Sequence, residues 1–169
     1  MLNIDIYTDG SFSKSYPSVV YGAIVALGNK EPFLAQRYII TKDYLVNMNN
    51  VGGELTAAAN SVFMVAEYLN EFSPNWRDVE VQFTLYHDYE GIRNFIEGKP
   101  PWNPSKKGSA YYVAMIKDFK SKYSNVRLRF VKVRAHSGIK WNEAADSISK
   151  GSIPYYLKNV MCPDLYIRN

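Results

Sequence analysis

The stretch Leu2-Asn3-Ile4-Asp5-Ile6-Tyr7-Thr8-Asp9-Gly10-Ser11 decides how this chain folds. Leu2, Ile4 and Ile6 alternate with polar residues. This alternation predicts a strand with one buried face that ends at Asp9-Gly10-Ser11. Two apolar runs follow, at 19–27 and 33–41, and turn residues at 28–32 between them predict a hairpin. Three strands therefore precede any long helix.

The rest of the chain alternates between helical and extended patterns. From Glu54 to Leu69 apolar residues recur every three or four positions, which predicts a long helix that Ser73-Pro74 ends. The segments that follow are a strand over 79–85, a short helical stretch, an irregular proline-rich loop over 98–104, a helix from about 109, a strand over 126–133, and a last helix beginning near 142. This order is typical of a mixed α/β domain. We expect a catalytic domain over residues 1–151 and a C-terminal tail or appendage over 152–169.

Length and composition indicate a globular protein. The chain has 169 residues, of which 47% are hydrophobic and 15% aromatic, and this excludes a disordered or linker protein. Its only cysteine, Cys162, can form neither an intrachain disulfide nor a cysteine zinc cluster. The first residues have no basic leader, and no apolar run approaches the roughly 18–20 residues that span a bilayer. We expect a cytoplasmic monomer with no membrane partner.

The formal charge of +4 is unevenly distributed along the chain. Residues 43–98 carry a net charge of −7, whereas residues 99–140 carry eleven basic residues against the single acid Asp118, for a net charge of +10. A basic segment of this density is suited to a polyanion, because each lysine or arginine that replaces a condensed counterion adds to phosphate affinity. A solvated basic helix without a ligand is the alternative interpretation.

Four acids lie near the ends of predicted elements: Asp9, Glu54, Asp88 and Asp146. Four carboxylates in one place repel each other unless divalent cations hold them together, and oxygen ligands favour Mg²⁺ or Mn²⁺. Two such ions about 3.5–4 Å apart activate water and stabilise the leaving oxygen in phosphodiester hydrolysis. Taken singly, each acid also fits a turn or the N-terminal end of a helix.

Histidine His136 follows the fifth predicted strand, in a glycine-containing loop just before the helix that carries Asp146. A histidine there can move a proton near neutral pH. The alternative is a solvated surface residue. His87, which precedes Asp88, is expected to point to the opposite side of its strand.

Together these residues resemble a type 1 ribonuclease H. The motifs that carry the resemblance are Tyr7-Thr8-Asp9-Gly10-Ser11, Asn50-Val51-Gly52-Gly53-Glu54, Tyr86-His87-Asp88, and His136-Ser137-Gly138 followed by Asn142-Glu143-Ala144-Ala145-Asp146. Each motif is weak alone, but all four occur in order and on the predicted elements. The resemblance covers residues 2–151 and is strongest to the compact bacterial and viroplasmin-like forms, since the stretch 98–108 is too short for the additional helix of longer members.

The resemblance implies a five-stranded mixed sheet of order 3-2-1-4-5 and cleavage of the RNA strand of RNA–DNA hybrids. It implies that Asp9, Glu54, Asp88 and Asp146 hold two Mg²⁺ ions, with Mn²⁺ as a substitute, and that His136 assists proton transfer or product release. The implied contacts to the RNA backbone and its 2′-hydroxyls are Gly10, Ser11, Asn50 and Asn142. Hybrid affinity would then depend on Trp102, Lys106 and Lys107.

Two other functions remain open at this point. A DNA-directed nuclease or strand-transfer enzyme of the same fold would share the acids, but Asn50 and the histidine loop argue against it, because such an enzyme has no need to read a 2′-hydroxyl. A catalytically idle nucleic-acid-binding domain would be free to lose the acids, yet all four are present.

Overall fold

The computed structural model describes residues 1–28, 30–134 and 137–160. Its strands are β1 (Leu2–Ser13), β2 (Ser18–Ala26), β3 (Leu34–Ile40), β4 (Val81–His87) and β5 (Val126–Lys132). Its α-helices are α1 (Asp43–Val46), α2 (Asn50–Phe72), α3 (Gly91–Asn94), α4 (Lys107–Lys122) and α5 (Lys140–Ser149). Two 3₁₀ helices cover Pro74–Asp78 and Tyr155–Val160.

The five strands form one mixed sheet of order β3-β2-β1-β4-β5, as predicted. The hairpin strands β1, β2 and β3 pair antiparallel, whereas β4 lies parallel to β1 and β5 parallel to β4. The parallel register pairs Tyr7 with Tyr86, and those two rings stack with centroids 4.7 Å apart. The carboxyl ends of β1 and β4 therefore meet at the same edge of the sheet.

Helices cover both faces of the sheet. Ile4 and Ile6 of β1 lie in the larger apolar core with residues of α2 and α4, whereas Tyr7 lies in a second cluster with Trp141 and Ile148 of α5. Because side chains alternate along a strand, the odd-numbered residues of β1 face α5. All nine residues of β2 are buried, which explains why its sequence is a nearly continuous apolar run.

Several boundaries differ from the sequence prediction. Strand β1 does not end at Asp9, because its antiparallel pairing with β2 continues to Ser13. Helix α2 begins at Asn50, so Glu54 lies in the second turn rather than the first. Helix α5 begins at Lys140, two residues earlier than predicted, with Ile139 at the N-cap, and Glu143 accepts a hydrogen bond from the Gly138 N–H at 3.1 Å.

The first part of the predicted tail is ordered against the domain. Leu157, in the second 3₁₀ helix, is 1% exposed and belongs to the cluster beneath α5. Residues 161–169, including Cys162, lie outside the described residues. Within the part of the chain that is described, no helix is long and apolar enough to cross a membrane.

Candidate active site

Carboxylates converge at the edge where β1 and β4 meet. Parallel pairing of the two strands reaches Tyr7 and Tyr86, and two residues further along each chain are Asp9 and Asp88, which project on the same side. One oxygen atom from each of Asp9, Glu54 and Asp88 lies within 4.8 Å of the others. Asp9 and Glu54 are buried and Asp88 is half-buried.

Glycines bring Glu54 to this edge. A Cβ atom on Gly10 would overlap the backbone of Gly53 and Glu54, so only glycine allows β1 and α2 to approach so closely. The Gly10 N–H then donates to Oε1 of Glu54 at 3.2 Å. Gly10 is thus required for this packing, and the packing fixes a carboxylate.

Asp146 reaches the site from α5. A Cβ on Gly22 would overlap the carbonyl oxygen of Ala145, so the bare backbone of β2 allows α5 to lie directly on the sheet. Gly22 is also the register partner of Asp9. A side-chain hydrogen bond links Asp9 to Asp146, and the charges of Asp9 and Glu54 influence each other. All four predicted acids are therefore brought together.

The crowding of these acids changes their titration. Burial raises the pKa of Asp9 to about 7, with further contributions from its hydrogen bond to Asp146 and from the negative charge of Asp88. Burial also raises the pKa of Glu54 well above its usual range, and the charges of Asp9 and Asp88 add to this effect. The site therefore does not tolerate its full negative charge without a cation.

The donor set fits a divalent metal ion. Oε2 of Glu54 is buried and has no hydrogen-bond partner among the described residues, although its companion Oε1 is bound by Gly10. An unpaired buried carboxylate oxygen is costly unless a ligand satisfies it. Carboxylate oxygens alone, without histidine or cysteine, suit a hard cation such as Mg²⁺ or Mn²⁺.

The acids open into a cleft of about 630 Å³. Three predicted substrate-binding residues line it, namely Gly10, Ser11 and Asn50. The Ser11 hydroxyl donates to the carbonyl of Ser149 at 3.1 Å, which ties β1 to the end of α5. Asn142 lines a small adjoining cavity with Asp9, Asp88 and Asp146, and its buried Oδ1 has no partner among the described residues.

Two basic residues of the cleft, Arg37 and Lys150, were not predicted from sequence. Arg37 of β3 pairs in register with Gly22, and its Nε donates to the carbonyl of Ile148 at 2.9 Å. Lys150 lies four residues after Asp146, a helical spacing that could have suggested the pair. Nothing in the sequence near Arg37 indicates its place, because it depends on the register of three strands.

Other predicted residues lie elsewhere. Trp102, Lys106 and Lys107 are not among the residues that line the cleft. Trp102 is half-buried against Phe95, with ring centroids 5.8 Å apart, and Lys107 lies 4.9 Å from the ring centre of Tyr44. Their predicted contact with a hybrid stays a prediction.

Of the two histidines, only His87 lies among the described residues. His136 lies outside the described residues. His87 is 1% exposed, its ring is bonded through Nδ1 to the carbonyl of Tyr89 at 2.8 Å, and burial lowers its pKa to about 4. It is therefore a neutral core residue beside the site.

Comparison with known proteins adds a family and a set of similar folds. The RNase H family model matches residues 2–153. An RNase H1 from Halobacterium salinarum superposes with a TM-score of 0.62 at 14% identity, covering 89% of this chain and 96% of that one. LC11-RNase H1, isolated from compost, gives 0.59 at 22% identity, with coverage of 94% and 100%. The same compost enzyme in complex with an RNA/DNA hybrid gives 0.57 at 21% identity, with coverage of 86% and 98%. No curated protein matches the sequence significantly.

Proposed function

Since the chain belongs to the RNase H family, we propose that it hydrolyses the RNA strand of RNA–DNA hybrids with two divalent ions held by Asp9, Glu54, Asp88 and Asp146. The observation that carries this proposal is the convergence of carboxylate oxygens within 4.8 Å, one of them buried and unpaired, at the base of an open cleft. Mg²⁺ is the proposed ion and Mn²⁺ its substitute.

The four carboxylates have the role of ligands. When bound, the ions supply an activated water and neutralise charge on the scissile phosphate. Gly10 fixes the orientation of Glu54 through its N–H, so that this ligand is held before a metal arrives. The raised pKa values of Asp9 and Glu54 mean that metal binding releases protons from these groups.

The cleft provides contacts for the RNA strand. Ser11 and Asn50 offer hydroxyl and amide groups beside the acids, and we assign them to the ribose 2′-hydroxyls and backbone that distinguish RNA from DNA. Gly10 and Asn142 complete this set. Arg37 and Lys150 add positive charge at the same cleft, where phosphates would lie.

The remaining assignments concern residues that do not line the cleft or that lie outside the described residues. Trp102, Lys106 and Lys107 are proposed contacts to the hybrid outside the cleft, and His136 is the proposed proton carrier. A monomeric state, a cytoplasmic location and a catalytic domain over residues 1–151 stay predictions.

Cleavage assays with labelled substrates test the proposal. The protein is incubated with RNA–DNA hybrid, duplex RNA or duplex DNA, in Mg²⁺ or in EDTA, beside Asp9→Asn and Asp88→Asn. We expect selective cleavage of the hybrid's RNA strand, lost in EDTA and in both variants. Asp118→Asn, which removes an exposed acid on α4, is the matched control and should cleave normally.

The alternatives give different results in the same assay. A DNA-directed enzyme of this fold would cut duplex DNA at least as well as the hybrid, and an idle domain would bind the hybrid without cleaving it. Undiminished cleavage by Asp9→Asn would also overturn the proposed site.

A further inference from the structure

A second groove follows the outer edge of β5, away from the cleft. It has a volume of about 720 Å³. We define it as the edge groove; its lining residues include Arg93, Lys120, Arg127, Arg129, Phe130 and Lys132. We propose that the edge groove binds single-stranded nucleic acid that continues from the hybrid beyond the active site. This inference rests on the proposed function.

Positive charge is concentrated in the edge groove. Its five basic side chains are opposed there by one acid, Glu97. Arg93 pairs with Glu97 at 2.8 Å and Arg127 with Glu80 at 2.6 Å. Among the described residues, no carboxylate forms a salt bridge with Lys120 or Lys132, and both are exposed. Two lysines are thus available to replace counterions on a phosphate backbone.

The groove also has an apolar surface. Leu128 and Phe130 of β5 and Ile96 after α3 are half-buried and line it among the basic residues. A basic groove interleaved with an aromatic ring is the arrangement that binds single strands without sequence preference, because every base can stack on a ring. A duplex keeps its bases stacked inside, so the partly exposed ring of Phe130 favours a single strand.

The position of the edge groove connects it to the site. Lys132 pairs in register with His87, the residue before Asp88. From there the basic residues extend back along β5 to Arg127, which spans about 17 Å at 3.3 Å per residue. A smaller cavity of about 190 Å³ shares Arg93, Phe130 and Lys132 with the edge groove and also touches His87. The end of the edge groove at Lys132 therefore lies one strand away from the end of β4, which Asp88 follows.

A structural role for the same charges is the competing explanation. β5 is the last strand of the sheet, and exposed basic residues on an edge strand discourage pairing with another chain. That role predicts self-association, not weaker nucleic-acid binding, when the charges are removed. The two explanations are therefore separable by experiment.

The test compares Lys120→Gln/Lys132→Gln with the control Lys30→Gln/Lys158→Gln, which removes the same charge from exposed positions elsewhere. Fluorescence anisotropy with labelled oligo(dT) in EDTA measures binding without catalysis. We expect the groove variant to weaken binding about three- to tenfold and to reduce the salt slope by about 1.4, since each single-strand phosphate contact contributes about 0.7.

A second measurement uses the active enzyme in Mg²⁺. We expect the groove variant to raise KM for hybrids with a single-stranded extension at one end, while kcat and the cleavage of blunt hybrid stay unchanged. If wild type failed to cleave blunt hybrid, the proposed function would be refuted instead. The anisotropy measurement would still test the edge groove, because it does not depend on cleavage.

Three outcomes would overturn the edge-groove proposal. The first is unchanged oligo(dT) binding by the groove variant, or equal weakening by the control. The second is competition by polyglutamate for wild type that is as strong as competition by oligo(dT), which would indicate an acidic protein partner. The third is self-association of the groove variant, seen by size-exclusion chromatography, with unchanged binding.

Discussion

Lys150 binds both carboxylate oxygens of Asp146, with its Nζ 2.9 Å from Oδ1 and 3.1 Å from Oδ2. The pair lies at the end of α5, with the lysine side chain 57% exposed and the aspartate 25% exposed. Hydrogen bonding to Asp146 raises the pKa of Lys150, so this lysine stays charged. Because Asp146 is also a proposed metal ligand, Lys150 and the metal compete for the same oxygens.

Removal of this lysine should tighten metal binding. In Lys150→Gln we expect the Mg²⁺ concentration for half-maximal cleavage to fall by up to about fivefold, which corresponds to the 0.2–1 kcal/mol of an exposed ion pair. Titration calorimetry with Ca²⁺ provides a measurement independent of activity. Lys150→Arg retains the charge and should bind metal as the wild type does. Weaker metal binding by Lys150→Gln would show that the lysine positions Asp146 for the ion instead of competing with it.

Gly22 controls the position of Asp146 through packing. In Gly22→Ala the new Cβ would overlap the carbonyl of Ala145, so α5 must move away from β2. We expect a loss of about 1–3 kcal/mol in the free energy of unfolding, the usual cost of overpacking, measured by urea denaturation. Cleavage should fall at least tenfold because Asp146 moves with the helix.

The control for this substitution is Gly28→Ala, at a glycine with φ 58° and open space around its Cβ position. It should lose about 1–2 kcal/mol through backbone strain alone and cleave normally. Unchanged cleavage by Gly22→Ala would contradict the role of close packing in the site.

The sequence predicted the sheet because its strands have clear patterns. Alternation in β1 and the apolar run in β2 identified their strands, and Ser73 does follow the last residue of α2. The four acids could be found because each sits in a short motif near the end of a predicted element.

Other features depend on tertiary contacts that leave no local pattern. Helix α1 and the 3₁₀ helix at Pro74–Asp78 were not predicted, since both are too short to show a periodicity. The continuation of β1 past Asp9 depends on pairing with β2. Arg37 enters the cleft only because β3, β2 and β1 align it with Gly22 and Asp9.

Lys106 and Lys107 offer a test of hybrid binding outside the cleft. In Lys106→Gln/Lys107→Gln we expect KM for blunt hybrid to rise several-fold with kcat unchanged, because both lysines are exposed and neither lines the cleft that holds the acids. The slope of log affinity against log salt should fall by about 1.8, since each duplex phosphate contact contributes about 0.9. Lys30→Gln/Lys158→Gln is again the matched control. An unchanged salt slope would rule out phosphate contacts by this pair.

The raised pKa of Asp9 predicts how the metal-free protein responds to pH. Asp9 keeps its proton up to a pKa of about 7 in the folded protein, whereas the unfolded chain loses it near 3.8. The folded state therefore holds more protons between these values, and the free energy of unfolding falls as pH rises through this range. Asp9→Asn cannot ionise, so in EDTA it should be more stable than wild type, by a margin that grows with pH.

We expect this margin to grow by about 2–3 kcal/mol between about pH 5 and about pH 8, at 1.36 kcal/mol per unit of pKa, as measured by urea denaturation. Loss of the Asp9 charge also relieves Glu54, whose pKa that charge helps to raise, and this acts in the same direction. His87, with its pKa lowered to about 4, destabilises both proteins on acidification and so cancels from the difference. Mg²⁺ should stabilise wild type at the higher pH and reduce the margin, because it binds the ionised carboxylates. A margin that stayed constant with pH would mean that Asp9 ionises normally in the folded protein, and that these acids need no cation to share the site.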